Sequence, residues 1–406
     1  MNIAVLGYGT VGSGVVEVLK TNYKSIAKRA GEPIDVKYVL DLRDFPDDPI
    51  QEKIVHDYNV ILNDDDVKIV VEVMGGTNPA YTFVKQALLA GKSVATSNKE
   101  LVAKHGSELI AIARENNINF MFEASVGGGI PIIRPLMNSL TADEIEEISG
   151  ILNGTTNYML TKMSEEGAAY DDVLKDAQNK GYAERNPEAD VEGYDACRKI
   201  AILTSLANGR QVDFEDIYTE GITKITDKDF KYAGKMGKSI KLLATSKCEN
   251  GQIYAYVAPM MIGQEHPLFS VNDVFNAVFV KGNMLGDTMF YGKGAGKLPT
   301  ASAVVSDIVE EVKHIHTNIK VEWQPEKLEL SDMKQAVQRF FVRVKKTCPQ
   351  SEVSRVFGQV QFVSVDGLDD EYAFVTGAMK EAEFDEKIAG LSGVITRIRY
   401  TQLSAE

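Results

Sequence analysis

The sequence predicts an α/β protein, and two observations predict it. Residues 2–6 form an apolar strand that leads directly into the glycine turn Gly7-Tyr-Gly9-Thr-Val-Gly12, and apolar residues at helical spacing follow. Strand-like and helix-like segments then alternate to about residue 123, as they do in a doubly wound parallel sheet. The first third of the chain is therefore predicted to be a Rossmann-type nucleotide domain.

The glycine turn has the spacing of a dinucleotide site. Its first glycine permits a tight turn, its second lets a pyrophosphate approach the backbone, and its third lets helix and strand pack closely. The same motif also arises as a coincidental turn, but here it stands at the first strand-to-helix junction of an alternating pattern. We expect NAD or NADP to bind through residues Gly7, Tyr8, Gly9, Thr10, Val11 and Gly12.

The later elements of this domain are predicted from apolar runs and helical periodicity. Strands are expected near residues 36–40, 68–73, 93–96 and 119–123, with helices at about 79–90 and 100–115. Asp41 and Arg43 follow the second strand, where a carboxylate favours a free ribose 2′-hydroxyl and an arginine favours a 2′-phosphate. Because both are present, the choice between NAD and NADP stays open.

Three further loops follow strand ends, where open α/β sheets bind their ligands. The first contains Gly75. The second contains Thr96 and Lys99, and Lys99 is either a solvated residue ahead of a helix or an ammonium near nicotinamide and substrate. The third, residues 123–131, contains three glycines whose carbonyl groups, together with Glu123, suit either a monovalent or hard cation or tight backbone packing.

A different pattern begins near residue 144. A strand at 144–152 leads into Asn153-Gly-Thr-Thr, where unpaired N–H groups at a helix start would bind an anion. Thr155 or Thr156 is equally suited to act as a simple N-cap.

The stretch from residue 181 to residue 199 concentrates charged side chains. Asp190 is the expected N-cap of one helix over residues 191–208. Asp195 and Lys199 lie at i,i+4 in that helix, a spacing most often found in surface ion pairs. The run after Lys199 is apolar, however, and a lysine held against a buried surface has a tunable pKa, as a proton donor or acceptor needs.

The rest of the chain is predicted to form further domains. Four strand-like runs between residues 239 and 291 indicate an antiparallel sheet in an α+β domain, 136–294. A glycine-rich loop, 292–300, and a helix at 301–312 are expected to return to the cleft, so that about 295–316 completes the nucleotide domain 1–135. A polar linker is expected at 317–332. Residues 333–406 alternate as β-α-β-β-α-β, which is typical of a ferredoxin-like module.

Composition excludes some partners. The 406-residue chain has a formal net charge of −14 without a basic cluster, so nucleic acid is not expected. Cys197, Cys248 and Cys348 are far apart and lack metal-ligand spacing, which fits a reducing cytosol. No apolar run approaches about 18 residues. We expect a cytoplasmic protein with no membrane contact.

Taken together, these motifs resemble those of the homoserine dehydrogenase family over nearly the whole chain. Besides the glycine turn, they are Glu72-Val-Met-Gly-Gly, Ser97-Asn-Lys99, Glu123-Ala-Ser-Val-Gly, Leu152-Asn-Gly-Thr155, Gly181-Tyr-Ala-Glu184, Asp190-Val-Glu-Gly-Tyr-Asp195 through Lys199, and Gly294-Ala-Gly296. The resemblance implies a homodimer that reversibly reduces L-aspartate 4-semialdehyde to L-homoserine with NAD(P)H, in threonine, methionine and isoleucine biosynthesis.

The resemblance also implies roles for individual residues. Lys199 matches the lysine that gives or takes the alcohol proton, and Lys99 matches a second lysine on the nicotinamide side. Glu184 and Asp195 match carboxylates that hold the substrate. The rest of the expected substrate site is Gly181, Asn153, Gly154 and Thr155, and Gly296 is expected beside the cofactor. The positions that match a monovalent-cation site, commonly sodium, are Glu123, Val126, Gly128 and Ile130.

Three positions depart from the family pattern. Asn186 stands where members often carry an acid, so one carboxylate is missing beside the site. Arg43 aligns with the family's arginine only after a one-residue shift. The last module resembles the ACT regulatory domain of many members, but Cys348-Pro-Gln-Ser lacks the usual Pro-Gly, so threonine feedback is not assumed.

Two other functions compete with this interpretation. One is a Rossmann dehydrogenase acting on a different amino-acid semialdehyde or hydroxy amino acid. The other is a non-catalytic sensor of dinucleotide and amino acid, which would not require two lysines and a set of carboxylates in the middle of the chain.

Overall fold

The computed structural model describes residues 1–401, and its N-terminal part is a parallel sheet flanked by helices. The strands are β1 (Asn2–Leu6), β2 (Asp35–Leu40), β3 (Ile54–Val55), β4 (Val67–Glu72), β5 (Ser93–Thr96) and β6 (Phe120–Met121). The helices are α1 (Thr10–Thr21), α2 (Tyr23–Ala30), α3 (Tyr58–Leu62), α4 (Ala80–Leu89) and α5 (Lys99–Glu115). The predicted alternation of strands and helices in this part of the chain is confirmed.

The strand order β3-β2-β1-β4-β5-β6 reverses direction between β1 and β4. Both central strands are rich in Val, Ile and Leu and are buried almost throughout, as a parallel sheet covered on both faces requires. Ligands of such sheets bind outside the carboxyl ends of the strands at the reversal, and the glycine turn follows β1 there. The strand predicted at 119–123 is shorter than expected, because Glu123 already belongs to a 3-10 turn, Glu123–Ser125.

The middle part combines helices with a second sheet. Its helices are α6 (Gly154–Glu166), α7 (Tyr170–Asn179), α8 (Glu188–Val191), α9 (Tyr194–Asn208) and α10 (Asp227–Lys235). Its strands are β7 (Ile145–Ile151), β8 (Arg210–Gln211), β9 (Tyr218–Thr219), β10 (Lys238–Glu249), β11 (Gln252–Gly263), β12 (Phe275–Gly282) and β13 (Gly286–Lys293). The order β13-β12-β7-β10-β11 is antiparallel throughout, as predicted.

The helix predicted over residues 191–208 is present as α9 and ends at residue 208, but it begins three residues later than predicted. A short α8 ends at Val191, and α9 begins after Gly193, whose φ of 83° lies in the left-handed region. Only glycine adopts that conformation at low cost, so Gly193 separates the two helices. Asp190 therefore lies at the end of α8 rather than at an N-cap.

A late helix, α11 (Lys297–Lys313), packs on the nucleotide domain, and it begins four residues before the predicted 301–312 helix. Its buried Ala301, Val304 and Ile308 join the apolar cluster formed by β1, β4 and α1. The contact with α1 is close, since a Cβ placed on Gly14 would lie 2.9 Å from the Lys297 carbonyl oxygen.

The segment predicted as a polar linker, 317–332, is packed against the middle part. It contains β14 (Gln324–Lys327), which pairs with β8. Trp323 is 3% exposed and donates its indole N–H to Gln211 Oε1 at 3.1 Å. The average composition of this segment did not indicate that it is packed, because one buried tryptophan barely changes the mean polarity of sixteen residues.

The C-terminal part continues the second sheet. It comprises β15 (Val337–Lys345), α12 (Gln350–Phe357), β16 (Gln361–Val363), β17 (Glu371–Val375), β18 (Met379–Lys380), α13 (Glu381–Ala389) and β19 (Val394–Tyr400). The order β19-β15-β17-β16 is antiparallel, and β19 joins β11 in parallel through Arg399 and Tyr400. Among residues 1–401, no helix is long and apolar enough to cross a membrane.

Candidate active site

The centre of the candidate site is a carboxylate held between two lysines. Lys199 Nζ lies 2.7 Å from Asp195 Oδ2, and Lys99 Nζ lies 2.6 Å from Asp195 Oδ1. Lys199 also donates to the Leu152 carbonyl oxygen at 2.7 Å. Lys199 is 8% exposed and Asp195 is 4% exposed, so their i,i+4 contact is a buried pair and not a surface ion pair.

Burial and charge set the ionisation of these three groups. Burial lowers the pKa of Lys199, and the Lys99 charge adds to this effect while Asp195 opposes it. Burial alone would raise the pKa of Asp195, but the two ammonium groups outweigh it and hold that pKa below its usual range. For Lys99, Asp195 outweighs burial and the pKa is raised. Of the two lysines, Lys199 is therefore the one whose pKa is shifted in the direction that favours proton donation.

Asn153 connects this pair to a second carboxylate. Its Nδ2 donates to Asp190 Oδ1 at 2.7 Å and to Asp195 Oδ2 at 3.0 Å. Its Oδ1 accepts the Thr156 N–H at 2.9 Å, so Asn153 is the N-cap of α6, and the N-cap expected at Thr155 or Thr156 is wrong. Burial raises the pKa of Asp190. Sequence reasoning did not assign this residue to the site, because an acid directly before a predicted helix also fits an N-cap.

One cleft of about 640 Å³ joins these groups to the nucleotide domain. Among the residues expected at the site, its lining contains Val11, Lys99, Val126, Gly128, Asn153, Gly154, Thr155, Gly181, Glu184, Asp195, Lys199 and Gly296. Ser97, Tyr182, Asp190 and Asn276 line it as well and were not predicted as site residues, whereas Lys293 and Thr300 belong to the loop 292–300 that was expected to return to the cleft. Asn276 lies on β12, so only the tertiary fold brings it to the cleft.

The glycine turn has the shape that a pyrophosphate requires. Gly7 has a φ of 97°, and a Cβ on Gly12 would lie 1.9 Å from the Gly7 carbonyl oxygen. No atom lies within 4 Å of the position a Cβ would take on Gly9, and this N-cap of α1 has no side chain to occupy the first N–H groups. The first turn of α1, from Thr10, is therefore open to an anion. The residues present fit a dinucleotide.

Asp41 and Arg43 lie at the adenosine end of this turn. Asp41 Oδ2 accepts the Tyr8 N–H at 2.8 Å, and Asp41 Oδ1 accepts Arg43 Nε at 2.9 Å. The Arg43 guanidinium holds the pKa of Asp41 below its usual range. A carboxylate and an arginine therefore lie together just after β2, where nucleotide domains of this kind commonly read the ribose 2′ position.

Thr96 and Gly75 contact a buried acid rather than the cleft. The Thr96 hydroxyl donates to Glu72 Oε2 at 2.6 Å, and Glu72 Oε1 accepts the N–H groups of Met74 at 2.8 Å and Gly75 at 3.3 Å. Glu72 is fully buried, so it fixes the loop after β4 against the end of β5.

The Glu123 carboxylate is occupied by three consecutive backbone N–H groups. Glu123 Oε1 accepts the N–H groups of Ile132 at 2.6 Å and Ile133 at 2.8 Å, and Oε2 accepts Arg134 N–H at 2.9 Å. A Cβ on Gly128 would lie 2.2 Å from the Gly294 carbonyl oxygen, so tight backbone packing explains this glycine. Within residues 1–401, no group of three or more His, Cys, Asp or Glu residues is arranged to hold a metal ion.

The loop before α8 forms the exposed edge of the cleft. Glu184 is exposed, and the Thr155 hydroxyl donates to the Tyr182 carbonyl oxygen at 2.6 Å, which connects this loop to the start of α6. Asn186, which replaces the family's usual acid, accepts the Glu188 N–H at 3.4 Å. In this chain Asn186 therefore contacts the first residue of α8 and adds no negative charge to the cleft.

A parallel α/β domain with an open glycine turn, joined by one cleft to a buried lysine and aspartate, defines an NAD(P)-dependent oxidoreductase. Residues 7–123 match a family model described as "Homoserine dehydrogenase, NAD binding domain", and residues 131–309 match one described as "Homoserine dehydrogenase". The chain belongs to the homoserine dehydrogenase family.

Relatives and solved structures agree with this assignment. The chain is 39% identical to a homoserine dehydrogenase of Bacillus subtilis, over 97% of this chain and 95% of the relative. It is 46% identical to one of Synechocystis, over 77% and 73% of the two chains. A homoserine dehydrogenase structure from Thiobacillus denitrificans superposes with a TM-score of 0.92 at 35% identity, covering 100% of this chain and 99% of the other. A hyperthermophilic archaeal homoserine dehydrogenase mutant, solved in complex with NADPH, has a TM-score of 0.66 at 29% identity, covering 76% and 97%.

Proposed function

We propose that this protein reduces L-aspartate 4-semialdehyde to L-homoserine with NAD(P)H, reversibly, and that Lys199 is the general acid and base. The observation that carries the assignment is the Asp195 carboxylate between Lys199 and Lys99, at the end of a cleft that begins at the glycine turn. The reaction belongs to the biosynthesis of threonine, methionine and isoleucine.

The residues of the cleft suit this chemistry. A bound reduced nicotinamide supplies a hydride to the aldehyde carbon. Negative charge then develops on the substrate oxygen, and the Lys199 ammonium stabilises that charge and donates its proton. Asp195 holds the lysine at 2.7 Å, and Lys99 adds a second positive charge beside Asp195 on the cofactor side.

The substrate also carries an α-ammonium and an α-carboxylate. We assign the ammonium to Glu184, which lines the cleft, and the carboxylate to the start of α6 at Gly154 and Thr155. The N–H groups at a helix start favour an anion, and the Asn153 cap gives that start its geometry. Gly181 leaves room at the edge, where its φ of 75° excludes most other residues.

Absorbance at the reduced nicotinamide band tests this proposal. The wild-type protein is mixed with aspartate semialdehyde and with either NADPH or NADH, and the rate is compared with rates for other amino-acid semialdehydes. Turnover is expected to be fastest with aspartate semialdehyde. Absence of turnover with both cofactors would exclude the enzyme, and faster turnover of another semialdehyde would favour a different dehydrogenase.

Cofactor preference is expected to follow the balance between Asp41 and Arg43. Asp41→Asn removes the charge that occupies Arg43, so the ratio of kcat/KM for NADPH to that for NADH should rise roughly tenfold. Arg43→Ala should lower the same ratio. Steady-state kinetics with both cofactors measure it, and a ratio that is unchanged in both variants would remove this pair from the 2′ site.

A monovalent cation at the loop after β6 is a separate proposal. Because the Glu123 carboxylate is occupied by backbone N–H groups, the ligands would be main-chain carbonyl oxygens of Glu123, Val126, Gly128 and Ile130. Replacing sodium with a bulky organic cation at constant ionic strength is expected to lower activity. Equal activity in the two salts would count against the site.

Three further proposals concern the fold of the C-terminal module, the oligomeric state and the location of the protein. Apart from the two-residue β18, the module's order β-α-β-β-α-β and the sheet order β19-β15-β17-β16 fit a ferredoxin-like, ACT-like module. We also propose a homodimer, to be tested by sedimentation at micromolar concentration, where a monomer would contradict it. A cytoplasmic location fits the free thiols of Cys197, Cys248 and Cys348.

A further inference from the structure

We propose that Glu220 is a positioning residue for the reaction, and that Arg399 of the C-terminal module holds it in place. Glu220 touches neither Asp195 nor Lys199, but the residues after it pack on the turn between α8 and α9. This inference rests on the proposed function, since it assigns to Asp195 and Lys199 the roles given above.

The first step is a buried contact between the C-terminal module and the middle part. Arg399 is 1% exposed, and its guanidinium donates to Glu220 Oε2 at 2.8 Å and to Glu381 Oε2 at 3.2 Å. The guanidinium carbon lies 4.7 Å from the centre of the Tyr218 ring, and the Tyr218 hydroxyl donates to Glu220 Oε2 at 3.0 Å. Each carboxylate therefore has a charge-assisted hydrogen bond in a water-poor junction.

The second step runs along the backbone from Glu220 to the turn. The Glu220 N–H donates to the Val257 carbonyl oxygen at 2.8 Å, and the Ile222 N–H donates to the Val191 carbonyl oxygen at 2.8 Å. Between them, a Cβ on Gly221 would lie 2.2 Å from the Val191 carbonyl oxygen and 2.5 Å from the Glu192 Cα. Because the two backbone segments are in direct contact, a shift of Glu220 displaces the turn between α8 and α9.

The third step runs from the turn to the reacting groups. Asp190 precedes Val191 in α8 and is hydrogen-bonded to Asn153 at 2.7 Å. Gly193 is the N-cap of α9, and the first two turns of α9 carry Asp195 and Lys199. A Cβ on Gly193 would lie 3.1 Å from a Val257 methyl group, so the turn is also packed against β11. Displacement of this turn therefore moves both carboxylates relative to the start of α6.

A second buried ion pair provides a matched control. Arg343, also in the C-terminal module, contacts Asp229 Oδ1 at 2.7 Å and Glu371 Oε1 at 2.9 Å. Asp229 belongs to the capping box at the start of α10 and not to the turn beside the cleft. Glu220 and Asp229 thus both accept hydrogen bonds from buried arginines of the C-terminal module. Glu220 is connected to the turn beside the cleft, whereas Asp229 is connected to the start of α10.

The experiment compares Glu220→Gln with Asp229→Asn in the full chain. For Glu220→Gln, the KM for aspartate semialdehyde should rise about tenfold while the KM for the reduced cofactor stays within about twofold. For Asp229→Asn, the melting temperature should fall and both KM values should stay near those of the wild type. Arg399→Lys, which keeps the charge, should restore part of the KM increase seen in Arg399→Met.

Two results would overturn the proposal. One is a folded Glu220→Gln protein with wild-type kinetic constants. The other is an equal rise of the semialdehyde KM in Asp229→Asn, because the effect would then report a loosened module junction in general. If Glu220→Gln does not accumulate in folded form, Arg399→Lys and Arg399→Met carry the same comparison. All kinetic constants are referred to an active wild type, so an inactive wild type would instead count against the proposed function.

Discussion

Replacing Lys199 with alanine is expected to lower kcat by about 10²–10⁴-fold, which is the usual contribution of a positioned acid or base. Lys199 is buried beside Asp195, and no other lysine contacts both that carboxylate and the Leu152 carbonyl within residues 1–401. Lys99 keeps its own contact with Asp195 in the variant, so the carboxylate retains one cation. Stopped-flow or steady-state absorbance with saturating semialdehyde measures the loss.

The control for this variant is Lys231→Ala. Lys231 pairs with Asp227 across the same i,i+4 spacing, but on the surface of α10, at 3.6 Å. It should leave kcat unchanged, since exposed pairs of this kind contribute little. A Lys199→Ala protein with full turnover would transfer the proton-donor role elsewhere, and Lys99 would be the next residue to test.

The same assignment fixes the direction of the pH dependence. A proton donor must be protonated at the start of reduction, so reductive kcat should fall as pH rises through the pKa of Lys199. Burial and Lys99 place that pKa below the ordinary lysine value. The alkaline limb of the wild-type profile should therefore lie below the range of an exposed lysine.

The second large effect concerns stability. Arg343→Ala is expected to lower the free energy of unfolding by about 3–5 kcal/mol, because it leaves buried Asp229 without its ion-pair partner and Glu371 with only Lys228, whose Nζ lies 3.6 Å from Glu371 Oε2. Arg343 donates to Glu371 and Asp229, and also to the Thr226 hydroxyl at 3.0 Å. Asp229 is fully buried and Glu371 is 3% exposed, so water cannot replace the lost partner.

Urea unfolding followed by circular dichroism measures this change. Arg355→Ala provides the control, since Arg355 is exposed on α12 and its removal should change the free energy of unfolding by less than about 0.5 kcal/mol. Equal destabilisation by the two substitutions would mean that the buried network contributes no more than a surface arginine.

Much of the fold follows from local patterns. The β1 strand, the glycine turn and α1 are predictable because strand, turn and helix signals are adjacent in sequence. The break at Gly193 was missed, because a single glycine inside an otherwise helical pattern resembles a tolerated helical residue. The packed segment around Trp323 was missed because its partners, Gln211 and Gly106, lie about a hundred or more residues away.

Some contacts of the candidate site can likewise be predicted from local sequence patterns, and others cannot. The contact between Asp195 and Lys199 follows from helical spacing, so sequence could place it. The contact between Lys99 and Asp195 joins two domains, and no local pattern encodes it. Sequence could also indicate that Glu123 was special, but its partners, three consecutive backbone N–H groups starting at Ile132, are visible only in three dimensions.

The position of α11 has a consequence for synthesis. Ala301, Val304 and Ile308 cover apolar side chains of β1 and β4, yet they are made long after those strands leave the ribosome. During that interval one face of the parallel sheet is covered by α1 and α2 but not by α11, and its remaining apolar surface is open to aggregation or to chaperones. The nucleotide domain, although it is synthesised first, is therefore completed only after residue 313 has emerged.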